Sequence, residues 1–250
     1  MKIKDKTNIT INKMFAFALD TKEETDIITY IDDVKNLESN ITNLGYRELR
    51  LINVHDVEKL KSEIEKAINI YDHNCFIYLL DEKKSIIAGT FISEVRIIKS
   101  KKKNLILSGN VWHKPKGFHK AYKMMLNNEI KEKNSWKNFR KDELQGWLVA
   151  ALNNDKNTPN KKNVIIQIDG NNFHNLNEFY CTLGEEVNGI AGYFGRQLYA
   201  LHDCLNENFG VKSVAKVIWK NHLLSKKLLK NNFNKIIDIF KEYNIEVILK

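Results

Sequence analysis

In the last third of this chain, short β-branched runs alternate with stretches of helical period, and that order constrains the fold more than any other feature. Residues 164–168 (Val-Ile-Ile-Gln-Ile) form the first run, ended by Asp169-Gly170. Leu176, Phe179, Tyr180 and Leu183 then recur three or four apart, with Asn175 or Asn177 placed to cap the helix. A stretch containing Gly184, Gly189, Gly192 and Gly195 precedes a helix from about 196 to 206, and 214–219 is the second run. Helices near 222–230 and 232–242 lead into a last strand at 245–249. Parallel strands need long crossovers, so this order predicts an α/β layer fold with a three-stranded parallel sheet covered by helices.

The preceding part is patterned differently. Residues 153–162 are polar, end a helical pattern and contain Pro159, one of only two prolines. That segment reads as a boundary, giving a first domain at 1–155, a linker at 156–162 and a second domain at 163–250. The 250 residues are enough for two cores. The first domain reads as α+β with an antiparallel sheet, its strands at 9–19, 47–53, 75–80, 86–98 and 104–112. Turns at 81–85 and 99–103 join the last three strands in a meander. Val57, Leu60, Ile64, Ala67 and Ile68 mark a helix at 54–71. Residues 118–130 and 142–152 also read as helices, the latter with Asp142 as N-cap.

Several function classes find no support in the sequence. No apolar run approaches the roughly 20 residues of a membrane span, and the leading MKIKDKTNITINK lacks the apolar stretch of a secretory signal. The expectation is a cytoplasmic protein without a membrane partner. Cys75, Cys181 and Cys204 are widely spaced and form no CxxC pair, which suits reduced thiols better than zinc or a disulfide framework. His55, Asp56 and His73, like His113 and His119, lack the spacing of a helix-borne metal pair. Nucleophile elbow, phosphate loop and dinucleotide fingerprint are all missing. The chain is therefore expected to be no enzyme and to need no cofactor, metal or small-molecule substrate.

The segment 163–250 carries a more specific signal. Tyr193-Phe194-Gly195-Arg196-Gln197-Leu198-Tyr199-Ala200-Leu201-His202-Asp203-Cys204-Leu205 resembles the YYGxNxDALWDCL signature of the barstar (barnase inhibitor) family. Residues 164–170 resemble that family's first strand and turn, and Phe240-Lys241-Glu242 with 247–249 resemble its end. The resemblance implies a barstar-like fold and an immunity-type protein of a bacterial toxin–antitoxin pair. Such a protein binds a nuclease toxin, a ribonuclease by expectation, and plugs its active site with a loop and helix.

A ribonuclease site is a cluster of cationic donors built for phosphate, and a carboxylate on a rigid helix can meet it with charge-assisted hydrogen bonds. Carried over by position, the resemblance implies Asp203 as the phosphate mimic, Tyr193 as an aromatic cover and Glu242 as an outlying carboxylate. Phe194, Gly195, Gln197, Tyr199, His202 and Asn206 complete the implied toxin-binding set. The chain departs from the family where Tyr199 replaces a second aspartate, His202 a tryptophan, and Gln197 an asparagine. Residues 161–250 hold 12 basic against nine acidic side chains, a balance of +3. Weak electrostatic steering toward a basic nuclease follows, which argues against barnase itself as the target.

Charge supplies the rival reading. Residues 96–141 contain 14 Lys/Arg against two Glu, a local +12 in a chain of net +9, so everything else sums to −3. Lys101, Lys102 and Lys103 form one cluster, and Lys116, Lys120 and Lys123 follow near Trp112. Lysines interleaved with aromatics suit phosphate neutralisation and base stacking. The alternative is thus an RNA-associated protein whose N-terminal domain contacts nucleic acid through these residues.

Overall fold

The computed structural model describes residues 14–20, 26–40, 45–70, 73–112, 114–154, 160–207 and 209–250. The chain divides into two compact units, 1–114 and 115–250.

In the first unit, six strands among the described residues close into an antiparallel barrel. They are β1 (Met14–Leu19), β2 (Ile27–Lys35), β3 (Gly45–Val54), β4 (Cys75–Leu80), β5 (Ile86–Lys101) and β6 (Asn104–Val111). Their order is β1-β2-β3-β6-β5-β4, and β1 closes the ring by pairing with both β2 and β4. Alternate residues face inward, so Phe15, Phe17, Ile31, Leu49, Leu51, Ile77, Leu79, Leu105 and Leu107 fill the barrel. The helix α1 (Val57–Ile70) adds Leu60, Ile64 and Ala67 to the same core from one apolar stripe. Each fully buried side chain of this size contributes about 1.5–3 kcal/mol.

The predicted antiparallel sheet is present, and it is more extensive than the pattern suggested. The strand β2 has no clear sequence signature, because Asp32-Asp33 interrupts its alternation. The part of the first expected strand at 9–13 lies outside the described residues. The strand β5 runs on through Lys99 and Lys101, beyond the end that the pattern predicts at 98, and the turn is confined to Lys102 and Lys103, with Lys102 at φ 56°.

The second unit begins with α2 (Phe118–Leu126), two 3-10 turns (Ser135–Asn138 and Lys141–Glu143) and α3 (Leu144–Asn153). It continues as β7 (Val164–Asp169), a 3-10 turn (Gly170–Asn172), α4 (Leu176–Asn188), α5 (Leu198–Asn206), β8 (Val214–Lys220), α6 (His222–Leu229), α7 (Asn231–Glu242) and β9 (Glu246–Leu249). The three strands form a parallel sheet in the order β7-β8-β9, as the crossover pattern requires. Trp219 of β8 anchors the core: it stacks on Phe179 at 5.4 Å, meets Phe233 edge-on at 4.9 Å, and donates its indole N–H to Ser225 Oγ at 2.8 Å. Asn175 caps α4 by accepting the Glu178 N–H at 3.1 Å, which resolves the choice between Asn175 and Asn177.

Two expectations change here. Asp142 does not cap α3; it sits in the 3-10 turn before it, ion-paired with Lys116 and Arg140, and α3 begins at Leu144. The helices at 118–126 and 144–153 belong to the second unit, whereas the sequence placed them in a domain ending at 155. Hydrogen bonds absent from any local pattern hold them there. The Asn134 backbone N–H and the Trp136 indole both donate to Glu185 Oε2 of α4, at 2.8 and 3.2 Å. Of the expected linker, 156–159 lie outside the described residues. Lys161 is already hydrogen-bonded to Gly210 and Lys212, as part of the second unit.

Candidate functional site

The helix α5 is presented by the glycine-containing loop 189–197, and that loop is held from several sides. Gly184 of α4 and Gly192 of the loop approach so closely that a Cβ on Gly184 would lie 2.3 Å from the Gly192 carbonyl oxygen. Asn188 donates its amide to the carbonyls of Tyr193 (2.7 Å) and Phe209 (3.0 Å). Gly195 turns the chain into α5 at φ +95°, where a side chain would also press on the Leu201 backbone at 3.2 Å. The Gln145 side-chain amide of α3 donates to Asn177 Oδ1 (2.8 Å) and to the Arg196 carbonyl (3.2 Å), and accepts from the Arg196 guanidinium at 3.3 Å.

The loop therefore delivers α5 in one orientation. Leu201 and Cys204 face the core at 0% and 1% exposure. Tyr199, Asp203 and Asn206 follow at i, i+4 and i+7, all exposed, with exposed Gln197 just ahead of the first turn. Tyr199 is 80% exposed, although a ring of that size ordinarily gains by burial. On the flank facing α7, His202 Nε2 lies 3.8 Å from Glu242 Oε2, and the Tyr243 hydroxyl donates to the His202 carbonyl at 3.2 Å. The outward face of α5 combines one free carboxylate, one large aromatic ring and two amides, with a second carboxylate at its edge.

Tyr193 and Phe194 are placed differently from the rest of the expected set. Phe194 is fully buried, and Tyr193 is 8% exposed with its ring 6.0 Å from that of Phe209. Burial pushes the Tyr193 hydroxyl well above the usual phenol range. Both rings shape the loop from within, and the exposed surface falls to Gln197, Tyr199, Asp203 and Asn206.

Residues 163–247 match the Barstar (barnase inhibitor) family model. That segment is similar to the barstar family. That family is one of inhibitors rather than enzymes, and its members' partner is a nuclease. The rest of the chain matches no family, and comparison with curated proteins found no match. The α2–α3 segment, which precedes the matched residues, supplies Gln145, Asn134 and Trp136 to the loop and to α4. None of these supports could be read from the sequence, since the partners stand about 50 residues apart in the chain.

The remaining candidates lie elsewhere. Lys101, Lys102, Lys103 and Trp112 are on the barrel unit, whereas Lys116, Lys120 and Lys123 belong to the second unit, so the basic run is not the surface of one element. In the second unit Lys116 pairs with Asp142, and the Lys120 ammonium sits 4.1 Å from the Phe139 ring centroid. His55 pairs with Asp32 at 2.8 Å, and His73 meets the Ile68 carbonyl at the same distance. Among the described residues no cluster of His, Cys, Asp and Glu could hold a metal ion, and no helix is long and apolar enough to cross a membrane. The three cysteines are buried and none of them is in a disulfide.

Proposed function

We propose that this protein is an immunity-type inhibitor that binds a ribonuclease toxin and blocks its active site with the outer face of α5. The observation that carries the reading is the position of Asp203. Within a segment that matches the barstar family model it stands exposed on a helix whose start is clamped, four residues from the exposed Tyr199. A carboxylate held in this way can occupy a phosphate subsite without ordering flexible chain on binding, which keeps the entropic cost of association low. Tyr199 supplies the apolar contact area that a second carboxylate would not, and suits a target face that is less basic and more aromatic. Gln197 and Asn206 add polar contacts along the same face, and Glu242 a charge at its rim.

The test uses the whole chain against a panel of small secreted bacterial ribonucleases, read by cleavage of a fluorogenic RNA substrate. Stoichiometric inhibition of at least one enzyme is expected. Asp203→Ala should weaken it by about 2–5 kcal/mol, the usual cost of truncating one partner of a buried, hydrogen-bonded charge pair. Tyr199→Ala should weaken it by at least about 2 kcal/mol if the ring is an interface anchor. Inhibition that survives both substitutions unchanged would place the interface elsewhere and remove the proposal.

A further inference from the structure

The barrel unit carries a face that the sequence does not display. The outward residues of β3 are Tyr46, Glu48 and Arg50, and β6 runs beside them with Arg50 opposite Ile106 and Tyr46 opposite Asn110. On the other side of β6, Lys99 of β5 stands opposite Ile106, and Lys101 opposite Asn104. Beyond β3, Lys35 of β2 stands opposite Arg50. Lys99, Ile106, Arg50 and Lys35 thus form one row across four strands, assembled from positions far apart in the chain.

A β-bulge creates this row. Ile97 pairs with Leu107 and Lys99 with Ile106, so Ile98 is the extra residue. In an unbroken register Ile98 would oppose Ile106 and Lys99 the buried Leu105, and the lysines would fall on the core side of the sheet. The row also places Arg50 directly opposite Lys35, an arrangement of like charges that disfavours the folded sheet. Lys35 is partly compensated by an ion pair with Asp33. Among the described residues no carboxylate pairs with Arg50, Lys99, Lys101 or Lys102, all of them exposed. Glu48 is the single acid among the outward residues of β3.

Aromatic rings occupy the other end of the same face. Tyr46 is 63% exposed, and Trp112, just past the end of β6, is 41% exposed with its ring 6.4 Å from Phe91. From Tyr46 to the level of Lys101 the face is about 20 Å long at ordinary strand rise. Exposed rings beside a row of exposed cations match what a single strand of nucleic acid presents, since every base has a stacking face and every linkage a charge. An acidic protein surface would use the cations and leave the rings without a role.

We propose that the outer face of β3, β6 and β5 binds single-stranded nucleic acid, with Tyr46 and Trp112 stacking on bases and Arg50, Lys99 and Lys101 meeting phosphates. The test is fluorescence anisotropy of the whole chain with a labelled, mixed-sequence single-stranded RNA of about 16 nucleotides, and with a labelled polyglutamate peptide for comparison. Saturable RNA binding is expected, falling linearly in log–log form with salt. Replacing Arg50, Lys99 and Lys101 together with alanine should flatten that slope by about 2, from three phosphate contacts at about 0.7 each. Tyr46→Ala should weaken binding about ten-fold with the slope unchanged, and Tyr46→Phe should restore it. All these positions are exposed, so thermal melting should report an intact fold. Absence of saturable binding at low salt, or RNA binding that ignores both sets of substitutions, would overturn the proposal. So would equal affinity for polyglutamate together with insensitivity to Tyr46→Ala, which would assign the face to an acidic protein.

Discussion

Gln145 and Arg196 hold each other reciprocally: the Gln145 amide donates to the Arg196 backbone carbonyl at 3.2 Å, and the Arg196 guanidinium donates to Gln145 Oε1 at 3.3 Å. Gln145 lies outside the family match and Arg196 inside it, at the point where the loop enters α5. Arg196 is only 8% exposed, so loss of a partner leaves its charge less well satisfied. Gln145→Ala is expected to lower unfolding free energy by about 1–3 kcal/mol in urea titrations. If α5 binds a nuclease as proposed, the substitution should also speed dissociation, because α5 loses a constraint while Tyr199 and Asp203 stay unchanged.

Glu185 predicts a pH dependence. Burial raises its carboxyl above the ordinary 4.5, against hydrogen bonds from Asn134, Ala191 and Trp136 that favour the charged form. A group raised in this way holds more proton folded than unfolded, so its contribution is full below about 4.5 and is lost as pH rises through the raised folded value. Melting temperature should therefore carry a downward component with rising pH across that window. Glu185→Gln should remove that component. An unchanged pH profile in the variant would show that Glu185 does not titrate there.

Gly195→Ala isolates the turn into α5. Its φ of +95° and the 3.2 Å approach to the Leu201 backbone leave a methyl group strained whichever way the loop relaxes. A loss of about 1–3 kcal/mol is expected in chemical denaturation, with larger losses in inhibition than the exposed Gln197→Ala produces.

The His202–Glu242 pair separates stability from binding. At 3.8 Å, with side chains 36% and 61% exposed, it contributes under about 1 kcal/mol to folding. Glu242→Gln should leave the melting temperature nearly unchanged. If Glu242 meets a cation at the rim of the nuclease site, the same substitution should slow association and reduce its dependence on salt.

The two halves of the chain differ in how much local pattern reveals. In the barstar-like segment, 164–168, 214–219 and the helical spacing of Leu176, Phe179, Tyr180 and Leu183 each named their element, and crossover length then required parallel pairing. In the barrel the strands at 75–80 and 104–111 were legible, but closure was not. Period-2 alternation says which residues face inward and nothing about which strand lies alongside, so the pairing of β1 with β4 has no local signature. The interruption at Asp32-Asp33 hid β2, the strand on which closure depends.

The candidate site shows the same division. Sequence alone showed the resemblance of 163–250 to the barstar family, through it the candidates Asp203 and Tyr199, and the uneven charge of the chain, because these follow from a contiguous motif and from counting residues. Tertiary structure decided that Tyr193 turns inward, that the α2–α3 segment braces the loop before α5, and that the bulge at Ile98 turns Lys99 and Lys101 outward beside Arg50 and Lys35. Each of these depends on which distant segments become neighbours. That choice is made by the packing of whole elements, which no local run of residues encodes.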